Sequence, residues 1–119
     1  MEESILNSIK KMIGPTIDDT YFDADIIVHI NSVLFLLNQL GVGKPGFSIT
    51  DSTSVWSDFI EGDTDLNAVI SYVYLRVKLL FDPPLNSSVV ASMEKTISEL
   101  EWRMNVTAEN NKKVNEVNN

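Results

Sequence analysis

The 119-residue chain has no cysteine and a single histidine, His29. The first absence excludes a disulfide scaffold, thiolate zinc and iron–sulfur sites and a cysteine nucleophile, and it suggests a cytosolic setting. The second excludes zinc sites built on a histidine pair. It also leaves any Ser/His/Asp triad dependent on one residue inside a helical pattern, so His29 reads as a surface or partly packed helix residue. Bases are scarce: nine Lys and Arg stand against 17 Asp and Glu, for a net charge of -8. Polyanions are bound by Lys and Arg that displace counterions, so nucleic-acid binding is disfavoured. No apolar run approaches the roughly 20 residues that cross a membrane. Met1 to Lys11 carries two glutamates after the methionine and no apolar stretch, so no signal peptide is expected, and the protein should be soluble and not exported.

What is present is ordinary globular material, 44% hydrophobic and 22% charged. The length suits one domain able to hold a core without staples. Ile5, Ile9, Met12 and Ile13 recur at helical spacing and are stopped by Gly14-Pro15, which predicts a first helix over Ser4 to Ile13. Asp18, Asp19 and Thr20 offer N-caps for a long second helix from Tyr21 to Leu40, striped by Phe22, Ile26, Ile30, Val33 or Leu34, Leu37 and Leu40. Gly41, Gly43, Pro45 and Gly46 end it.

Residues 42 to 63 hold the fragments Phe47-Ser-Ile49 and Ser54-Val-Trp56, which predict an irregular loop or a small β-hairpin. A third helix follows from Asp65 to Phe81, capped by Asp63 or Thr64 and apolar nearly all round, so it must be central or contact a partner. Asp82-Pro83-Pro84 stops it, and Asn86 or Ser87 caps a fourth helix with the seam Val90, Met93, Ile97, Leu100 and Met104. The expected fold is therefore an all-α bundle of about four helices. Residues 1 to 104 form its single domain, and the unpatterned tail, 105 to 119, is expected to be disordered on its own.

Several motifs fail on inspection. Asp63-Thr-Asp65-Leu-Asn67 opens like a calcium loop, but Ala68 stands where glycine is needed and Tyr74 where a bidentate glutamate belongs, so helix capping explains these acids better. Gly41-Val-Gly43-Lys44 follows a helix and lacks the spacing of a phosphate loop, and Asn105-Val-Thr107 matches a glycosylation pattern by chance. No metal, cofactor or catalytic set is assigned, and the chain is not read as an enzyme.

Interaction is the affirmative reading. Between Lys44 and Arg76 there is no base, while Asp51, Asp58, Glu61, Asp63 and Asp65 all fall there, giving an acidic surface. Trp56, Tyr72, Tyr74, Arg76 and Trp102 are the candidate subunit or partner contacts. Trp102 lies off the seam of its helix, and packing against the first helix is preferred over exposure.

Tyr21-Phe-Asp-Ala-Asp-Ile-Ile-Val-His-Ile-Asn-Ser-Val and Leu37-Asn-Gln-Leu-Gly-Val-Gly resemble segments of the head-to-tail connector (adaptor) proteins of siphovirus-like tailed phages of Gram-positive bacteria. Trp56-Ser-Asp-Phe-Ile, Tyr72-Val-Tyr-Leu-Arg-Val-Lys-Leu-Leu-Phe-Asp-Pro-Pro and Ile97-Ser-Glu-Leu-Glu-Trp-Arg-Met-Asn continue the likeness, which covers roughly residues 4 to 105. The resemblance implies a virion structural protein at the head–tail interface, assembled in the host cytoplasm. Such a protein docks as a homo-oligomeric ring on the portal protein and extends the DNA channel. It then offers a surface to a stopper or tail-completion protein, while DNA passes without specific binding. Its C-terminal segment would reach toward the portal. An acidic ring lumen would repel phosphates, so the five acids are expected to face the channel or the distal partner. The alternative is a small acidic inhibitor or DNA mimic acting on a host nucleic-acid enzyme. A helix-turn-helix regulator is a weaker fit, because a basic recognition helix is missing.

Overall fold

The computed structural model describes residues 3–14, 18–61 and 65–118, with side chains described as far as residue 110. Among these residues five helices follow in order: α1 (Ile5–Ile13), α2 (Asp23–Gln39), α3 (Trp56–Phe59), α4 (Leu66–Phe81) and α5 (Ser87–Asn118). The architecture is all-α. Among the described residues no strand forms, and the only β pairing is an isolated bridge between Ser4 and Val55. The α2–α4 connection is thus irregular around one short helical turn, and no hairpin forms among its described residues.

Local chemistry sets most helix ends. Ser4 Oγ accepts from Asn7 N at 3.0 Å, and Gly14 ends α1 at φ 133°, a conformation glycine adopts without steric cost. The Asp65 carboxylate accepts from Asn67 N and Ala68 N, so Asp65 is itself the cap that the sequence pattern sought at Asp63 or Thr64. Asn86 Oδ1 accepts from Ser88 N and Val89 N at the start of α5. α2 begins at Asp23 rather than Tyr21, because Asp19 spends its carboxylate on Tyr21 N in a turn ahead of the helix.

Helix α4 is the central element, packing against α1, α2 and α5, as its wide apolar girth requires. Val69, Tyr72, Val73 and Val77 of α4 meet Ile26, Ile30, Val33, Leu34 and Leu37 of α2 and Ile5, Leu6 and Ile9 of α1 in one buried cluster. Phe22 at the head of α2 lies 5.3 Å from Phe81 at the foot of α4, so these two helices run antiparallel. α5 turns back after residues 82–86 and is also antiparallel to α4; α2 and α5 therefore run in the same direction.

The seam predicted for the fourth helix is the packed face of α5, with Ile97 and Met104 buried and Val90, Met93 and Leu100 half-buried. The helix does not stop at Met104. It continues through Asn118, where the sequence pattern leads one to expect a disordered tail from 105. The first turn past Met104 has a physical reason to be ordered: Asn105 Nδ2 donates to Leu40 O, and Ala108 packs so closely on Gly41 that a Cβ there would lie 3.1 Å from its own.

Two asparagines one heptad apart on α2 hold the long connection against the bundle. Asn31 donates to Ile49 O at 2.9 Å and accepts from Ile49 N at 2.8 Å, while Asn38 donates to Val42 O and Lys44 O. Lys44 N in turn donates to Phe59 O, which seats Phe59 in the core.

Candidate docking surfaces

The acids of the α2–α4 connection all reach solvent where the structure describes them: Asp51, Asp58, Glu61 and Asp65 are exposed, and Asp63 lies outside the described residues. Three of them also have a local task. Asp51 accepts from both Thr53 N and Thr53 Oγ1, and these bonds hold its carboxyl below the ordinary range. Asp58 accepts from Val55 N at the start of α3, and Asp65 caps α4. A capping carboxylate uses part of its acceptor capacity and keeps its charge, so the connection remains a negatively charged surface.

The five candidate contact residues separate into buried and accessible groups. Trp56 is 3% exposed, and its Nε1 donates to Ser8 Oγ at 2.9 Å across the interface with α1. Tyr72 is fully buried. These two are corrected from partner anchors to core residues, since each aromatic body is covered and each polar tip is satisfied inside the chain. Tyr74 is half-buried against the core cluster. Trp102 is 69% exposed, which overturns the expected packing against α1: α5 packs on α4, and Trp102 lies off that contact face.

Arg76 belongs to a three-residue network. The Tyr72 hydroxyl donates to Glu101 Oε2 at 2.8 Å, Arg76 Nη2 donates to the same oxygen at 2.7 Å, and Arg76 Nε donates to the Tyr72 hydroxyl at 3.0 Å. Desolvation, and then the bond to Glu101, push the Tyr72 hydroxyl up to about 12. Desolvation works against the Arg76 charge, and the bonds to Glu101 and Tyr72 more than offset it, leaving the guanidinium raised. The network locks α4 to α5 and keeps Arg76 half-buried.

A surface that the sequence reading missed lies on the outward side of α2. Val28 and Phe35 are each 62% exposed and Ser32 lies between them. With Leu36 of α2 and Arg76 and Leu80 of α4 they line an open groove of about 780 Å³. The signal was present in the sequence, because Val28 and Phe35 are apolar residues opposite the Ile26–Ile30–Leu37 stripe. Solvated helix faces seldom carry contiguous large apolar groups without a partner. No group of three His, Cys, Asp or Glu able to hold a metal occurs among the described residues. None of the described helices is long and apolar enough to cross a membrane.

An irregular acidic connection, a central over-apolar helix and exposed apolar groups on α2 and α5 define a small helical bundle whose distinctive features lie on its surface. A family model described as phage connector protein matches residues 5–111, nearly the whole chain, and the chain belongs to that family. No curated protein and no solved structure gives a match. The family is structural, and the protein is accordingly a virion connector component.

Proposed function

We propose that the protein docks as a homo-oligomeric ring on the portal at the head–tail interface, extends the DNA exit channel and presents a surface to a stopper or tail-completion protein. The observation that carries this reading is the family match over residues 5–111 on a chain whose exposed features are surfaces rather than a reaction centre. The acids of the α2–α4 connection support a channel-facing or distal-partner role, because a carboxylate-lined passage repels DNA phosphates and lets the genome slide. Asp51, Asp58, Glu61 and Asp65 are free to do this, being exposed in a stretch without Lys or Arg. The C-terminal part of α5 is the segment that would reach toward the portal.

The test is a phage carrying an early stop codon in this gene. DNA-filled heads that remain tailless, and accept tails once purified protein is added, are the expected result. Normal tailed particles would overturn the reading. A structure of the neck that put all four described acids on the outer wall would remove the channel and distal-partner assignment while leaving the connector role standing.

A further inference from the structure

The outward faces of α2 and α5 are matched in spacing. On α2 the exposed stripe runs Asp25, Val28, Ser32 and Phe35, with His29 and Leu36 on its groove side. On α5 it runs Lys95, Ser98, Glu99 and Trp102, with Val106 half-buried one turn further on. The small Ser32 side chain lines the open groove between the exposed Val28 and Phe35, opposite Leu80 of α4, and Trp102 is a large exposed knob.

We propose that the α2–α4 groove is the seat for α5 of a second copy of this chain, with Trp102 inserted over Ser32. Because α2 and α5 run parallel within one chain, a rotation about an axis along the bundle keeps α2 of one copy parallel to α5 of the next, as a ring requires. In that parallel alignment the register that sets Trp102 opposite Ser32 also sets Lys95 opposite Asp25, Glu99 opposite His29 and Val106 opposite Leu36, since all four pairs have the same sequence separation. The opposite charges of Asp25 and Lys95 therefore meet toward the N-terminal ends of the two helices, and apolar groups meet at the other end, where Phe35 and Leu36 line the groove. Asp25 and Lys95 are both exposed and form no ion pair among the described residues, so each is available across the interface.

The contact is heterologous, using one surface of each copy against a different surface of the next, and it closes only as a ring or runs on as a filament. A single helix pair buries an area at or below the low end of stable interfaces, of order 1,200 Å². Isolated chains should associate weakly, and closure, in which every copy makes the contact twice, stabilises the ring. The inference rests on the ring assembly proposed above and adds to it which faces meet and in what register.

The chain has no native cysteine, so labelling is clean. Two single variants, Ser32→Cys and Ser98→Cys, are mixed at high concentration with a short bismaleimide; only contact between copies can join one to the other. The expected result is a mixed dimer at least tenfold more abundant than when Lys44→Cys replaces Ser32→Cys. Adding Trp102→Ala to the Ser98→Cys chain should cut the yield about tenfold, as truncating an interface hot spot does. Asp25→Lys should lower it and Lys95→Asp on the other chain restore it. Circular dichroism checks that each variant folds, which exposed positions should allow. A yield no higher than the Lys44→Cys control, or one indifferent to Trp102→Ala, overturns the inference. If sedimentation still shows closed oligomers, the ring survives and its interface lies elsewhere. If the cross-link fails in this way but the protein still restores tails to the stop-codon heads, the connector reading stands without this contact.

Discussion

Replacing Gly43 by alanine separates two costs that the fold combines at one residue. Gly43 has φ 83°, and a Cβ built on it would lie 2.1 Å from Cζ of Phe59 and 2.5–2.6 Å from two further ring carbons. Left-handed backbone costs an alanine about 1–2 kcal/mol. The contact adds more, because Phe59 is 1% exposed and packs on Phe47 with ring centroids 5.4 Å apart, so the ring can yield only by disturbing the core. Overpacking of this kind costs about 1–3 kcal/mol. Gly46 supplies the control: its φ is 76°, and a Cβ there would meet nothing within 4 Å. Gly46→Ala should therefore lose only the backbone part, and Gly43→Ala about 2–5 kcal/mol of a total that is about 5–15 for a domain. Urea denaturation followed by circular dichroism reads the difference. With a slope of about 2 kcal/mol per molar, the Gly43→Ala midpoint should fall about 1 M below that of Gly46→Ala. Equal midpoints would refute the claim that Phe59 fills the space a side chain would need at Gly43.

Three further outcomes follow from the same contacts. Tyr72 is raised toward about 12, so ultraviolet difference spectra of wild type against Tyr72→Phe should show its phenolate growing in near pH 12 and not at 10. An acid raised in the folded state contributes stability below its unfolded value of about 10 that is lost as pH climbs through 12; a Tyr72 signal complete by pH 10 would contradict this. Glu101→Ala removes the acceptor shared by Tyr72 and Arg76, strands a half-buried guanidinium and should cost about 1–3 kcal/mol by thermal or urea melts; an unchanged midpoint would mean the network contributes nothing net. Trp102→Phe should leave a chain whose remaining fluorescence, from buried Trp56, resists acrylamide, whereas Trp56→Phe should leave an accessible fluorophore; the reverse pattern would place the two indoles wrongly.

What was legible in the sequence was what depends on near neighbours. Asn86 caps α5 by bonding amides two and three residues on, and the stripe of α2 and the seam of α5 follow from period alone, whereas the α4 cap falls at Asp65, one residue past the Thr64 the pattern offered. Trp56 and Tyr72 were misread as anchors because their polar tips are satisfied by Ser8 and Glu101, residues 48 and 29 positions away. No local rule distinguishes a buried aromatic with a remote partner from an exposed one. The clamp of Asn31 and Asn38 on the long connection was hidden for the same reason, since its partners are backbone groups of an irregular segment.

The candidate surface behaved differently, and the difference bears on where function is written in a structural protein. The capping acids serve the fold and carry charge at once, so their sequence signal is ambiguous between the two uses. Val28, Phe35 and Trp102 serve no contact within the core cluster, yet each is large and apolar. A chain with a net charge of -8 has ample polar residues to cover its helices, and leaving three such groups bare on two parallel helices costs solubility for no gain in monomer stability. A partner that covers them resolves that cost. A second copy does so with complementary charge at Asp25 and Lys95 and needs no feature that the chain does not already carry.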